Sequence, residues 1–338
     1  MIKAEEFFSE IYKDNDLRVD NKRDIAADIR QWEVNRSHFA EEKQLEAKFG
    51  EQQTNQKMIF IVGVPRSGTT LLAQLLMQNF ELGTFFNALA KYYSVPLFGM
   101  KKIIQNKGKI AQKENHFKSF LGHTEGEYAP HEFGYFWQYW LNHQGHDELN
   151  SEQLKKVQWN NLAKKLNGLC NLLKNDLLIK SIVYNNFIIK KLAAIFPTAQ
   201  FIYIKRNFVF VVQSIIEARI RQYGSEEVWW SIRPKQYESW QKLSVEDQVA
   251  KQVVYISKQI EEQLSVLSED RVLEISYEDL TKNYDMNEIS SFLGNTKTAY
   301  KDDLLLKNRN QIRFKNLRIT KIQEAISKAE NYYGYKER

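Results

Sequence analysis

The stretch MIFIVGVPRSGTTLLAQLLMQNF, residues 58–80, decides the fold. Its opening, KMIFIV when Lys57 is included, is a short apolar run ending at a glycine, which suits a strand buried on both faces of a parallel sheet. Residues 69–80 read as a helix. Between the two, Gly63 and Gly68 enclose four residues, and in that Gly-x-x-x-x-Gly spacing successive backbone N–H groups form a concave anion site at a helix N-terminus. A triphosphate-binding loop carries lysine directly after the second glycine, but here that residue is Thr69, and Thr70 takes the hydroxyl position that would hold magnesium. Without the lysine, the loop suits a shorter anion such as a single 5′-phosphate, held by backbone amides and the two threonine hydroxyls. Arg66 adds a permanent positive charge, placed to stabilise charge building on a leaving phosphate oxygen.

Outward from the loop, the βαβ pattern continues. DLLIK (176–180) reads as a second strand, NNFIIKKLAAIF (185–196) as a helix, QFIYIK (200–205) as a third strand and FVFVVQSIIEARIRQ (208–222) as a helix. Ser244, with Asp247 three positions on, resembles a capping box before Val249, Val253, Ile256, Ile260, Leu264 and Leu267 at helical spacing. RVLEIS (271–276) reads as a fourth strand. The fold class is therefore α/β: a P-loop-like parallel sheet flanked by helices, in one domain spanning residues 57–338. Residues 1–56 are charge-rich and low in glycine and proline, and predict a helical N-terminal extension ending near Gly50. The interval from about 84 to 175 is too long for a simple crossover; it holds an amphipathic helix at 151–174 and the aromatic stretch HEFGYFWQYWL (131–141). This insertion is read as substrate-facing.

Composition narrows the function classes. A chain of 338 residues with 43% hydrophobic content can bury a full core. No apolar run reaches the roughly 18 residues a spanning helix needs, and the acidic, polar start has no signal-peptide character, so a cytoplasmic protein that does not span a membrane is expected. The formal charge of +6 favours an anionic ligand, yet charges of both signs are interspersed, and nucleic-acid binding is not expected. The single cysteine, Cys170, lies at helical spacing as a small buried residue without a chemical role. No clustered metal-ligand spacing occurs, and no metal is expected.

PRSGTTLL, covering Pro65, Arg66, Ser67, Gly68, Thr69, Thr70 and Leu71, resembles the 5′-phosphosulfate loop of sulfotransferases that use 3′-phosphoadenosine 5′-phosphosulfate (PAPS), notably the tyrosylprotein and bacterial carbohydrate branches. A second motif agrees with it. Arg206 ends a strand and Ser214 lies in the first turns of the following helix, so that a fork of donors and a hydroxyl can converge on one phosphate; the pair resembles the family's 3′-phosphate motif. RVLEISYEDL resembles the family's late strand and turn, with Tyr277 packing and Glu278 or Asp279 favouring a helix start. The resemblance runs discontinuously from about residue 57 to 295. It implies transfer of a sulfuryl group from PAPS, as co-substrate, to an acceptor hydroxyl, leaving adenosine 3′,5′-bisphosphate.

Within that resemblance, Arg66 stabilises the leaving group and Lys180, which resembles the lysine of a Lys-x-His element in cytosolic members, contacts the sulfuryl group. The pattern departs at Ile182, where those members have their catalytic histidine, and Glu81 lies too near a helix end to match the glutamate of other branches. The base is therefore sought in GHTEGEYAPHEFGYFW (122–137), with Glu132 and His131 as the candidates, beside Pro130 and an aromatic run. The aromatic supply in EFGYFWQYW and VWWSIRPKQYESW suggests a glycan or glycoconjugate hydroxyl as acceptor, with a lipid or phenol as the alternative. The basic stretch 307–318 reads as a solvated amphipathic helix rather than a closure over the nucleotide. A P-loop small-molecule kinase, and a binding protein that kept the loop but lost the base, are the rival readings.

Overall fold

The computed structural model describes residues 3–20, 22–107, 117, 119–143, 145–180, 183–294 and 306–335. Its strands are β1 (Met58–Val62), β2 (Gly83–Thr84), β3 (Ser119–Phe120), β4 (His123–Thr124), β5 (Leu177–Lys180), β6 (Gln200–Lys205) and β7 (Val272–Ser276). Five of them form one sheet in the order β2-β5-β1-β6-β7, and every pairing in it is parallel. β1 lies at the centre because it is apolar at every position and buried throughout. From β1 the chain builds one half, β2 and β5, then crosses to the other side for β6 and β7. The carboxyl end of β1 is therefore a topological switch point, where open α/β sheets leave a crevice for ligands. The strands MIFIV, LLIK, QFIYIK and VLEIS are those read from the sequence. β2 is additional: two residues at the sheet edge carry no apolar run, and it is defined by pairing with β5.

Helix Thr69–Asn79 follows β1, and helix Phe208–Tyr223 follows β6. The latter is capped by Asn207, whose side chain accepts from the Val209 N–H, and ends on Gly224 at φ 69°. Ser244 caps helix Val245–Leu264 by accepting from the Asp247 N–H at 3.2 Å. Three sequence expectations are corrected. The helix expected over 151–174 is two helices, Ser151–Lys156 and Trp159–Leu173, because Val157 is extended. The segment 185–196 is a 3-10 turn, Val183–Phe187, followed by helix Ile189–Ile195. In the third case, residues 307–314 are not a helix: the chain is irregular until helix Asn316–Tyr333 begins.

The N-terminal segment is helical, with helices Ala4–Ile11, Ile25–Ser37 and Phe39–Leu45 and a π turn at Glu46–Gly50. It shares the core of the sheet domain. Phe7 and Phe8 are buried against Trp32, Tyr93 and Tyr135, with ring centroids 5.2–5.8 Å apart for Phe7–Trp32, Phe7–Tyr93 and Phe8–Tyr135. A buried ion cluster pins it further. The Glu42 carboxylate accepts from Lys165 Nζ at 2.9 Å and from the N–H groups of Phe98 at 2.8 Å and Leu97 at 3.3 Å, at the start of helix Pro96–Lys107. Lys165 also pairs with Glu46. Burial pushes the Glu42 carboxyl above its usual range, against the downward pull of Lys165. Among the described residues, no helix is long and apolar enough to cross a membrane.

Candidate active site

A cavity of about 830 Å³ opens at the carboxyl end of β1. One end is walled by the loop, from Gly63 through Arg66 and from Gly68 through Leu71, with Arg206, Tyr277 and Arg309; the other is walled by Tyr135, Gln138, His146, Trp230 and residues of the N-terminal segment. Gly68 and Arg206, read from separate motifs, thus face one space.

The loop's shape follows from its backbone. Arg66 has φ 72° and Gly68 φ 111°, so the chain turns twice through left-handed conformations before helix Thr69–Asn79 starts. Gly68 is required twice over, since a Cβ there would lie 2.7 Å from Cδ2 of Tyr277. Gly63 is held by Asn186, whose side chain donates to the Gly63 carbonyl at 2.8 Å and accepts from its N–H at 3.3 Å. A Cβ on Gly63 would come within 2.6 Å of Ser67 Oγ, which is fully buried and has no hydrogen-bond partner among the described residues.

Around the loop, positive charge gathers. Arg66 Nε donates to Ser214 Oγ at 3.0 Å, and Arg206 Nη1 donates to the Arg66 carbonyl at 2.8 Å. The loop, the end of β6 and the following helix therefore converge, Ser214 standing behind Arg66 rather than on the cavity wall. The Arg206 guanidinium also lies 4.4 Å from the Tyr277 ring centre, and donates to Asn310 Oδ1 at 2.8 Å and the Arg309 carbonyl at 3.3 Å. Burial, with repulsion from Arg206, Arg309, Arg221 and Arg313, brings Arg66 down to about 10, still protonated at neutral pH. Among the described residues no carboxylate pairs with Arg66. An orphaned hydroxyl, two inward turns and unneutralised guanidinium groups fit an anion of more than one charge.

The candidate bases lie beside the helix start. β3 and β4 form a ribbon whose turn has Leu121 at φ 47° and Gly122 at φ 97°. It presents the Gly122 carbonyl to Lys180 Nζ at 2.7 Å, while Lys180 also pairs with Glu132 Oε1 at 3.0 Å. A Cβ on Gly122 would lie 3.4 Å from Glu132 Oε1 and 3.9 Å from Thr70 Oγ1, so the carboxylate and the threonine flank the same turn. Glu132 is on the cavity wall; Lys180, 0% exposed, is not. His131 Nδ1 accepts from the Phe133 N–H at 2.8 Å, and burial lowers the ring to about 4. A neutral ring with an accepting Nδ1 carries its proton on Nε2. Ile182 lies outside the described residues.

Several residues of this site were not legible beforehand: Asn186, Arg309 and Asn310, and the whole N-terminal wall. Residues 307–314 close against Arg206, with Asn310 Nδ2 donating to Glu278 at 2.5 Å and Gln213 Oε1 accepting from the Arg313 N–H at 2.8 Å. The stretch was legible as basic, but its partners are far away in sequence. Tyr277, expected only to pack, supports Gly68 and Arg206 and accepts from the Arg309 N–H at 3.0 Å. No group of three or more His, Cys, Asp or Glu side chains placed to hold a metal ion occurs among the described residues.

Residues 58–296 match the model of a family described as the sulfotransferase family. No curated protein matches the chain. Among solved structures, sulfotransferase STF9 from Mycobacterium avium is similar at 11% identity with a TM-score of 0.59, covering 99% of this chain and 92% of that one. Sulfotransferase STF1 from Mycobacterium tuberculosis is similar at 14% identity with a TM-score of 0.48, covering 87% and 82%. At such identity the STF9 likeness shows a shared fold.

Proposed function

The chain belongs to the sulfotransferase family, and from that premise we propose that it moves a sulfuryl group from PAPS to a hydroxyl of a glycan or glycoconjugate. The observation that carries this reading is the single cavity, with an arginine-walled loop at one end and a polar, aromatic wall at the other. In the reaction, the acceptor oxygen forms a bond to sulfur as the bond from sulfur to the 5′-phosphate oxygen breaks, and the electron pair leaves with adenosine 3′,5′-bisphosphate. The amides of Arg66 and of Gly68 to Leu71, with the hydroxyls of Thr69 and Thr70, hold the 5′-phosphate end. Arg206 holds the 3′-phosphate, Ser214 positions Arg66 by accepting from its Nε, and Arg66 stabilises the charge on the departing oxygen.

The acceptor proton goes to Glu132, which faces the cavity near Thr70. Lys180 orients that carboxylate from behind. His131 is a hydrogen-bond donor in this scheme rather than a base, because its Nδ1 lone pair is already engaged. A glycan fits the far wall because Tyr135 and Trp230 offer ring faces while Gln138 and His146 offer polar edges for hydroxyls. The donor is tested by thermal shift. Adenosine 3′,5′-bisphosphate at 100 times its dissociation constant should add about 2.7 kcal/mol of stability, and Mg-ATP should add little; the reverse order would assign the chain to the kinases.

A further inference from the structure

Asp14, Asn15, Arg18, Arg23 and Asp28 contribute to the far wall of the cavity and lie outside the stretch the family model matches. That wall is built rather than incidental. Asn15 clamps Arg23 by accepting from its N–H at 3.0 Å and donating to its carbonyl at 3.3 Å. The Val19 N–H donates to the Gln222 carbonyl at 2.9 Å, tying the segment to the end of helix Phe208–Tyr223. Arg233 Nη2 bonds Asp14 at 3.1 Å.

The charges on this wall are mostly taken. Asp14 is held by Arg233, and Asp20 pairs with Arg18 at 3.4 Å. Asp28 accepts from the Tyr12 hydroxyl and from the Tyr135 hydroxyl at 2.8 Å. Arg23 differs: half-buried, it has no carboxylate partner among the described residues, and its guanidinium lies 5.7 Å from the centre of the Tyr135 ring. Its field reaches cavity-lining groups from several elements, adding to the lowering of His123 and His146 by burial and opposing the upward push of burial on Tyr135, Tyr184 and Tyr223. His123 feels both Arg23 and Glu132, so the ring lies within range of both ends of the cavity.

We infer that Arg23, backed by the Tyr135 ring, binds an anionic substituent of the acceptor, a sugar carboxylate or sulfate ester, and so presents a neighbouring hydroxyl toward Glu132. A planar guanidinium fork resting on an aromatic face suits either anion in a two-point contact. The inference rests on the sulfotransferase reading of the cavity and adds the acceptor's class to it: an acidic rather than a neutral sugar.

The test is calorimetric titration of the full chain saturated with adenosine 3′,5′-bisphosphate, using methyl β-glucuronide, glucose 6-sulfate and methyl β-glucoside as probes. The wild type should bind at least one anionic sugar about ten-fold or more tighter than the glucoside, and which one it prefers distinguishes carboxylate from sulfate. Arg23→Gln should erase the preference, Arg23→Lys should restore part of it, and a melting curve on each variant confirms folding. Equal affinity for all three sugars, absence of binding by all three, or a preference that survives in Arg23→Gln would overturn the inference. Affinity for the bisphosphate, measured in the same samples, reports separately on the sulfotransferase reading: its loss in the wild type would defeat that reading instead.

Discussion

Two groups of buried charge in this molecule are built on opposite rules. Under the N-terminal helices, Lys165 meets Glu42 and Glu46, and two backbone N–H groups complete the Glu42 shell. At the loop, Arg66, Arg206 and Arg309 crowd together with no carboxylate paired to Arg66 among the described residues; burial lowers Arg66 and Arg206, and Arg309 adds to the lowering of both. In the first group the buried cation is matched by two carboxylates, and Lys165 and Glu42 are closed to solvent, so its work is holding elements together. The second is left unbalanced, which is tolerable only because a polyanion can enter and balance it. Completeness of partners separates a pin from a binding site even where the residue types are equally charged.

That contrast can be broken by removing one cation from each group. Lys165→Met leaves the Glu42 charge buried without its partner and should cost about 3–5 kcal/mol of stability, read by urea unfolding; a loss under about 1 kcal/mol would mean the cluster is not a pin. Arg66→Ala should instead lower turnover by roughly 10²-fold to 10³-fold, or about 3 kcal/mol at the transition state, while the melting temperature of the ligand-free protein stays level or rises as repulsion is relieved. An unchanged rate would remove Arg66 from the chemistry, and a collapsed melting temperature would place it among the pins.

The histidines between these extremes sharpen the comparison through pH. Burial holds His131 and His146 near 4, below the ordinary value of 6.5. As pH falls through 6.5 the unfolded chain takes up protons that the folded chain refuses, so stability drops as pH falls from about 6.5 to about 4. Each ring contributes at most about 3 kcal/mol, less after solvent screening. Replacing His131 by Asn, which can still accept from the Phe133 N–H, should make that slope shallower, with His146, His123 and His143 keeping the rest of it; an unaltered slope would show that His131 titrates normally.

Much of the fold was legible because its signals are local. β1, β5, β6 and β7 are apolar runs with turn residues at their ends, and the loop's glycines sit at fixed offsets. Where sequence reading slipped, longer-range contacts decided. β2 exists only through its pairing with β5, and residues 307–314 are irregular, with Asn310 and Gln311 bonded to Arg206 and Gln213. The site was legible in the same proportion: Arg66, Gly68, Arg206 and Ser214 come together, but nothing local indicated that Lys180 is buried off the cavity wall, paired with Glu132.

By itself, the amino-acid sequence determined the parallel sheet, the anion-binding turn and the arginine that follows β6, because hydrophobic period and glycine spacing act over a few residues. Only the tertiary structure decided what stands across from that turn. Asp14, Asn15, Arg18, Arg23 and Asp28 line the far end of the cavity with Tyr135 and Trp230, and helical propensity carries no information about which distant surface a packed aromatic face will cover.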